Sequence, residues 1–94
     1  MTLSERFEQF SGDYLTFEKV TRKLNLRADL HAFLLLDKLI PGDQNMVVSP
    51  NHDEIYLNVD AEELEKVVTD EQIQELVRCG VFYEDETDSL CMFA

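Results

Sequence analysis

Residues 60–93 read DAEELEKVVTDEQIQELVRCGVFYEDETDSLCMF, and the fold turns on how this stretch is parsed. Asp60 followed by Glu63 resembles a capping box with Asp in the cap position, and Thr69 followed by Gln72 matches the Ser/Thr-x-x-Glu/Gln form itself. Each start opens a helical spacing of apolar residues. Leu64, Val67 and Val68 belong to the first helix, and Ile73, Leu76 and Val77 to the second. Gly80 is placed to end the second helix in the left-handed conformation. Val81-Phe82-Tyr83 and Leu90-Cys91-Met92-Phe93 then read as a closing β-hairpin around the acidic turn 84–89.

Upstream, Met46-Val47-Val48 and Ile55-Tyr56-Leu57-Asn58-Val59 are β-favouring runs separated by the turn residues Pro50-Asn51-His52-Asp53. In the second run Ile55, Leu57 and Val59 share one face, and Tyr56 and Asn58 the other. Pro41-Gly42 closes a helical segment that Asp29 is placed to cap. Its leucines (Leu34, Leu35, Leu36, Leu39) with Ile40 make it the expected central buried helix. Before it, Leu3, Phe7 and Phe10 lie on one helical face. Ser11-Gly12-Asp13 breaks that segment, and Thr16 is placed to cap a second helix carrying Phe17, Val20 and Leu24. The expected core includes Leu34, Ile55, Leu57, Leu76, Val77 and Phe82.

The fold class that follows is α+β: N-terminal helices, a short β-hairpin, a helix-turn-helix-like pair and a C-terminal β-hairpin, an order shared with winged helix-turn-helix layouts. The chemistry departs from that layout's usual use. Residues 70–79 stand in the recognition-helix position, where Arg, Lys, Asn or Gln would face bases. Here they offer Asp70, Glu71, Gln72, Gln74 and Glu75, with Arg78 at the end. The wing-like turn is Glu84-Asp85-Glu86-Thr87-Asp88. Both would repel a phosphate backbone, so direct nucleic-acid binding is not expected.

Ninety-four residues, 45% of them apolar, support one small domain, residues 1–94, with a real core. Twenty acids against eight bases give a net charge of −12. Residues 1–40 carry six acids and six bases, so the whole excess lies beyond Pro41. Such asymmetry points to a charged partner or a solvated face. The start, MTLSERFEQF, lacks the basic stretch, apolar run and cleavage site of a secretory signal, and the longest apolar run is far short of the ~20 residues of a membrane span. A cytoplasmic protein without membrane contact is expected.

The chemistry-bearing residue types do not form catalytic motifs. Cys79 and Cys91 read as two buried reduced thiols, with a disulfide or a metal use as alternatives. His52-Asp53-Glu54 has the residue types of a metal cluster but no second histidine nearby, and reads as a turn. The run 84–88 lacks the spacing of a Ca²⁺ loop. Asp53-Glu54 and Glu62-Glu63 are paired carboxylates without a cleft between them. No motif brings a Ser or Cys nucleophile to His31 or His52, and no Gly-rich phosphate loop exists. The expectation is no enzyme, no cofactor and no metal. Phe7, Phe10, Tyr14 and Phe17 are expected to pack on the main helix, with a docking or dimer-forming face as the alternative.

The stretches HDEIYLNVD (52–60) and TDEQIQELVRCGVFYEDETDSLCMF (69–93) resemble small acidic proteins encoded by tailed phages and prophages. The resemblance implies a mobile-element setting in a bacterial cytoplasm, where small acidic proteins include inhibitors that imitate nucleic acid. The functional expectation is therefore an acidic protein-binding module that blocks a basic nucleic-acid-binding surface of a host defence protein. Its contact residues would be Asp53, Glu54, Glu62, Glu63, Asp70, Glu71, Glu75, Glu84, Asp85, Glu86 and Asp88. The alternative is a structural or accessory protein assembling, as a homodimer or with others, through its aromatic N-terminal helices.

Overall fold

A computed structural model of the chain describes residues 2–48 and 53–93. The elements, in order, are α1 (Leu3–Glu8), two 3₁₀ turns (Ser11–Asp13 and Phe17–Lys19), α2 (Ala28–Leu39), β1 (Val47–Val48), β2 (Glu54–Leu57), α3 (Ala61–Val67), α4 (Asp70–Arg78), β3 (Phe82–Glu84) and β4 (Ser89–Phe93). The class is α+β, with a C-terminal hairpin. The expected turn at Pro50, Asn51 and His52 lies outside the described residues.

The late helices start where their caps dictate. Asp60 accepts from the backbone N–H groups of Glu62 and Glu63, and Thr69 and Gln72 form a reciprocal capping box. Gly80 has φ +99°, and the N–H groups of Gly80 and Val81 bond back to Val77 and Leu76, a Schellman closure of α4. A second capping box, Thr2 with Glu5, starts α1 by the same Ser/Thr-x-x-Glu/Gln logic.

The two hairpins become one antiparallel sheet of order β1-β2-β4-β3, because β2 pairs with β4 as well as with β1. The register sets Ile55 opposite Met92, Tyr56 opposite Cys91, and Phe82 opposite Cys91 on the other side. Alternation then splits the sheet into two faces. Leu57, Leu90 and Met92 belong to the buried core, with Ile55 and Tyr83 half-buried against it; the core also holds Leu3, Phe7, Ala32, Leu35, Leu36, Leu64, Ile73, Leu76 and Val77. Tyr56, Phe82, Cys91 and Phe93 occupy the opposite face.

Several expectations need correction. Leu34 is 43% exposed rather than central, because α2 turns only His31, Ala32, Leu35 and Leu36 fully inward. Asp29 is not the cap of α2. Arg27 holds that position without a side-chain bond, and Asp29 lies in the first turn, its carboxylate accepting from the Leu30 N–H. The second N-terminal helix shrinks to the single 3₁₀ turn Phe17–Lys19. The Thr16 hydroxyl donates to the Asp13 carbonyl instead of capping, and the Leu24 N–H goes to the His31 ring rather than to a helical carbonyl. With nucleation uncompensated, the helix does not propagate. Val67 ends α3 facing outward at 49% exposure, while the extended Val68 turns in. Phe82 is half-buried on the outer sheet face, its place in the core taken by Val81 and Tyr83.

Among the described residues no helix is long and apolar enough to cross a membrane.

Candidate functional site

The N-terminal segment is bound to the late helices by polar contacts that sequence reading did not find. Arg6 donates to the Asp70 carboxylate at 3.0 Å and to the backbone carbonyls of Glu65 and Val68 at 3.3 and 2.8 Å. The Leu3 N–H donates to the Glu65 carboxylate at 2.8 Å. Asp13 accepts from Gln74 at 3.0 Å and lies 3.7 Å from the Arg78 guanidinium. The Gln74 hydrogen bond, then Arg78, hold the Asp13 carboxyl below its usual range against the opposing effect of desolvation. The Leu15 N–H donates to Val77 at the end of α4. Helix α4 is thus strapped by residues 2–20. Phe7 is buried, and Phe10, Tyr14 and Phe17 pack half-buried against the core.

The eleven carboxylates singled out from the sequence fall into separate settings. Asp53, Glu62, Glu63, Asp70, Glu71, Asp85, Glu86 and Asp88 are exposed, and Glu54, Glu75 and Glu84 are half-buried. Five of them have partners among the described residues, Glu84 included, whose carboxylate accepts from the Glu86 N–H at 3.3 Å. Asp70 pairs with Arg6, Glu63 lies 3.4 Å from Lys66, and Asp85 accepts from the Ser4 hydroxyl. Asp88 accepts from the Tyr83 hydroxyl at 3.1 Å. Burial, with Asp88 beside it, pushes that phenol up to about 12.

One group does converge. Glu62 and Glu65 of α3 line a cleft of about 420 Å³ together with Asp85 and Asp88 of the β3–β4 turn. Glu54 and Glu84 lie on the outer sheet face, opposite Phe93 and Ser89. They stand on the two strands flanking β4, and each raises the Cys91 thiol, which burial above all lifts to about 11. Glu75 stands apart, beside His31 and Cys79. Neither Asp53 nor Glu71 lines the cleft of Glu62 and Asp85. Among the described residues no cluster of three or more His, Cys, Asp or Glu side chains is arranged to hold a metal ion.

Between Glu54 and Glu84 lies the feature that sequence reading missed. The outer sheet face carries Tyr56, Cys91, Phe82 and Phe93. Phe82 and Phe93 stack with centroids 4.8 Å apart, and Phe93 is 59% exposed. Beside them a groove of about 460 Å³ runs past Phe7, Tyr14 and Tyr83, with the carboxylates of Glu8 and Asp85 among its lining. Alternation ties Val81, Phe82 and Tyr83 together without choosing the face. Assigning Val81 and Tyr83 to the core would have put Phe82 outside. An aromatic surface bordered by carboxylates offers cation–π and ionic contacts to Lys and Arg side chains together with apolar area.

No protein-family model, no curated protein and no solved structure matches this chain.

Proposed function

We propose that the chain is a non-enzymatic acidic protein-binding module that engages a basic surface of a partner protein. The observation that carries this reading is the aromatic sheet face of Tyr56, Phe82 and Phe93 set between Glu54 and Glu84, with Glu62, Glu65, Asp85 and Asp88 grouped along the neighbouring cleft. Aromatic anchors supply affinity, and the carboxylates speed encounter and set orientation. A basic surface that fits these groups is the kind that binds nucleic acid. The module would then act as a stoichiometric competitor for nucleic acid in the cytoplasm, blocking a host defence protein on behalf of a mobile element.

The test begins with photo-crosslinking in host lysate from a probe placed at Phe93, followed by association kinetics on the partner identified. Glu54→Lys with Glu84→Lys should slow association several-fold, and Phe93→Ala should speed dissociation. Association should also slow as salt rises past about 0.1 M, where the Debye length is about 10 Å. Kinetics indifferent to salt and to all three substitutions would make the acidic surface a solvated face only.

A further inference from the structure

The outward face of α2 carries exposed leucines. Leu30 is 39% exposed and Leu34 43%, and Leu26, just before the helix, is 87% exposed. Leu30, Leu34 and Asp37 lie on one helical face, and Arg27, the N-cap, precedes Leu30 by three residues, so the four follow a 27-30-34-37 spacing, three-four-three. Neither Arg27 nor Asp37 forms an ion pair among the described residues. The opposite side of the helix, with Ala32, Leu35 and Leu36, is fully used by the core.

We propose that this face binds a second copy of the same chain, α2 against α2, antiparallel about a two-fold axis. The face is complementary to itself. Leu30 and Leu34 lie equally far on either side of position 32, and so do Arg27 and Asp37. A two-fold axis at that level sets Leu30 against the partner copy's Leu34 and Arg27 against its Asp37, twice over, as an isologous contact requires. Charge also selects this side of the molecule. Residues 1–40 balance six acids with six bases, whereas the rest of the chain carries the entire −12 and would repel its copy. The pairing is independent of the acidic binding surface, and gives a dimer bearing two such surfaces.

Sedimentation equilibrium over ~1–500 µM, a range wide enough to span a micromolar dissociation constant, should show a mass rising from 10.9 kDa toward twice that value. L34E should hold the mass at the monomer value, with circular dichroism reporting an intact fold, since the side chain is exposed. R27D and D37R should each weaken association about tenfold or more, because each sets like charges together at both ends of the contact. R27D/D37R should restore it, because opposite charges face each other again. A protein monomeric at every concentration overturns the proposal, including the case where a different protein takes this face. A dimer indifferent to L34E, or one that the double charge exchange fails to restore, overturns it as well. Neither result bears on the aromatic and acidic surface, whose test reads a different partner.

Discussion

His31 is fully buried, its Nδ1 accepts the Leu24 N–H at 3.0 Å, and its ring lies 5.6 Å from that of Phe17. Accepting at Nδ1 puts the proton on Nε2, which has no partner among the described residues. Burial, with Lys23 adding to it and Glu75 opposing, lowers the imidazole below its ordinary value of 6.5. The folded state therefore holds the neutral ring while the unfolded chain takes up a proton below about pH 6.5. Stability from this group is complete above that pH and is lost as pH falls toward the depressed folded value. Thermal melts at pH steps from about 7.5 to 5.5 should show a decline that His31→Phe reduces. The thiols behave in the opposite sense. Burial pushes Cys79 up to about 12, with Glu75 adding to it, and Cys91 up to about 11. Thiolate is the reactive form, so a disulfide reagent at about pH 8 should label neither cysteine in the native protein and both after denaturation.

At the scale of elements, α3 depends on a residue far away in the chain. It is seven residues long, and its last carbonyls need partners. Arg6 supplies them to Glu65 and Val68 while also holding Asp70 at the start of α4. Arg6→Ala leaves those carbonyls without the guanidinium and should cost about 1.5–3 kcal/mol in urea unfolding, the range for hydrogen bonds to charged groups. Amide exchange should quicken in residues 2–20. Arg6→Lys should recover only part of the loss, since an ammonium cannot reproduce the planar fork. The N-terminal segment is thus an integral layer over α4, and its aromatic side chains pack against the core.

For the molecule as a whole, charge and layout together bear on nucleic acid. Helix α4 opens with Asp70 and Glu71, and the strap of residues 2–20 lies against it. Duplex binding needs phosphates neutralised by Lys and Arg. Fluorescence anisotropy with a labelled duplex near physiological salt should show no binding tighter than the ~10⁻⁴ M at the weak end of non-specific association. A micromolar affinity with a steep salt slope would contradict this expectation and the acidic-surface reading with it.

Local chemistry made much of the architecture legible from the chain alone. The Thr69–Gln72 box, the Asp60 cap, Gly80 at its positive φ and the two β-favouring pairs act over a few residues, so composition and spacing suffice to read them. The surplus of carboxylates beyond Pro41 is equally plain. Tertiary structure decided which side of each element faces in. Leucines surround α2, and only its neighbours choose Leu35 and Leu36 for the core and leave Leu30 and Leu34 outside. The closing hairpin is apolar at consecutive positions, so alternation alone permits either face, and the helices packed on the sheet select Tyr83 over Phe82. Arg6 and Asp13 find partners 64 and 61 residues away, a distance over which no periodicity carries information. The aromatic surface follows from that same selection, because a side chain refused by the core remains where a partner can reach it.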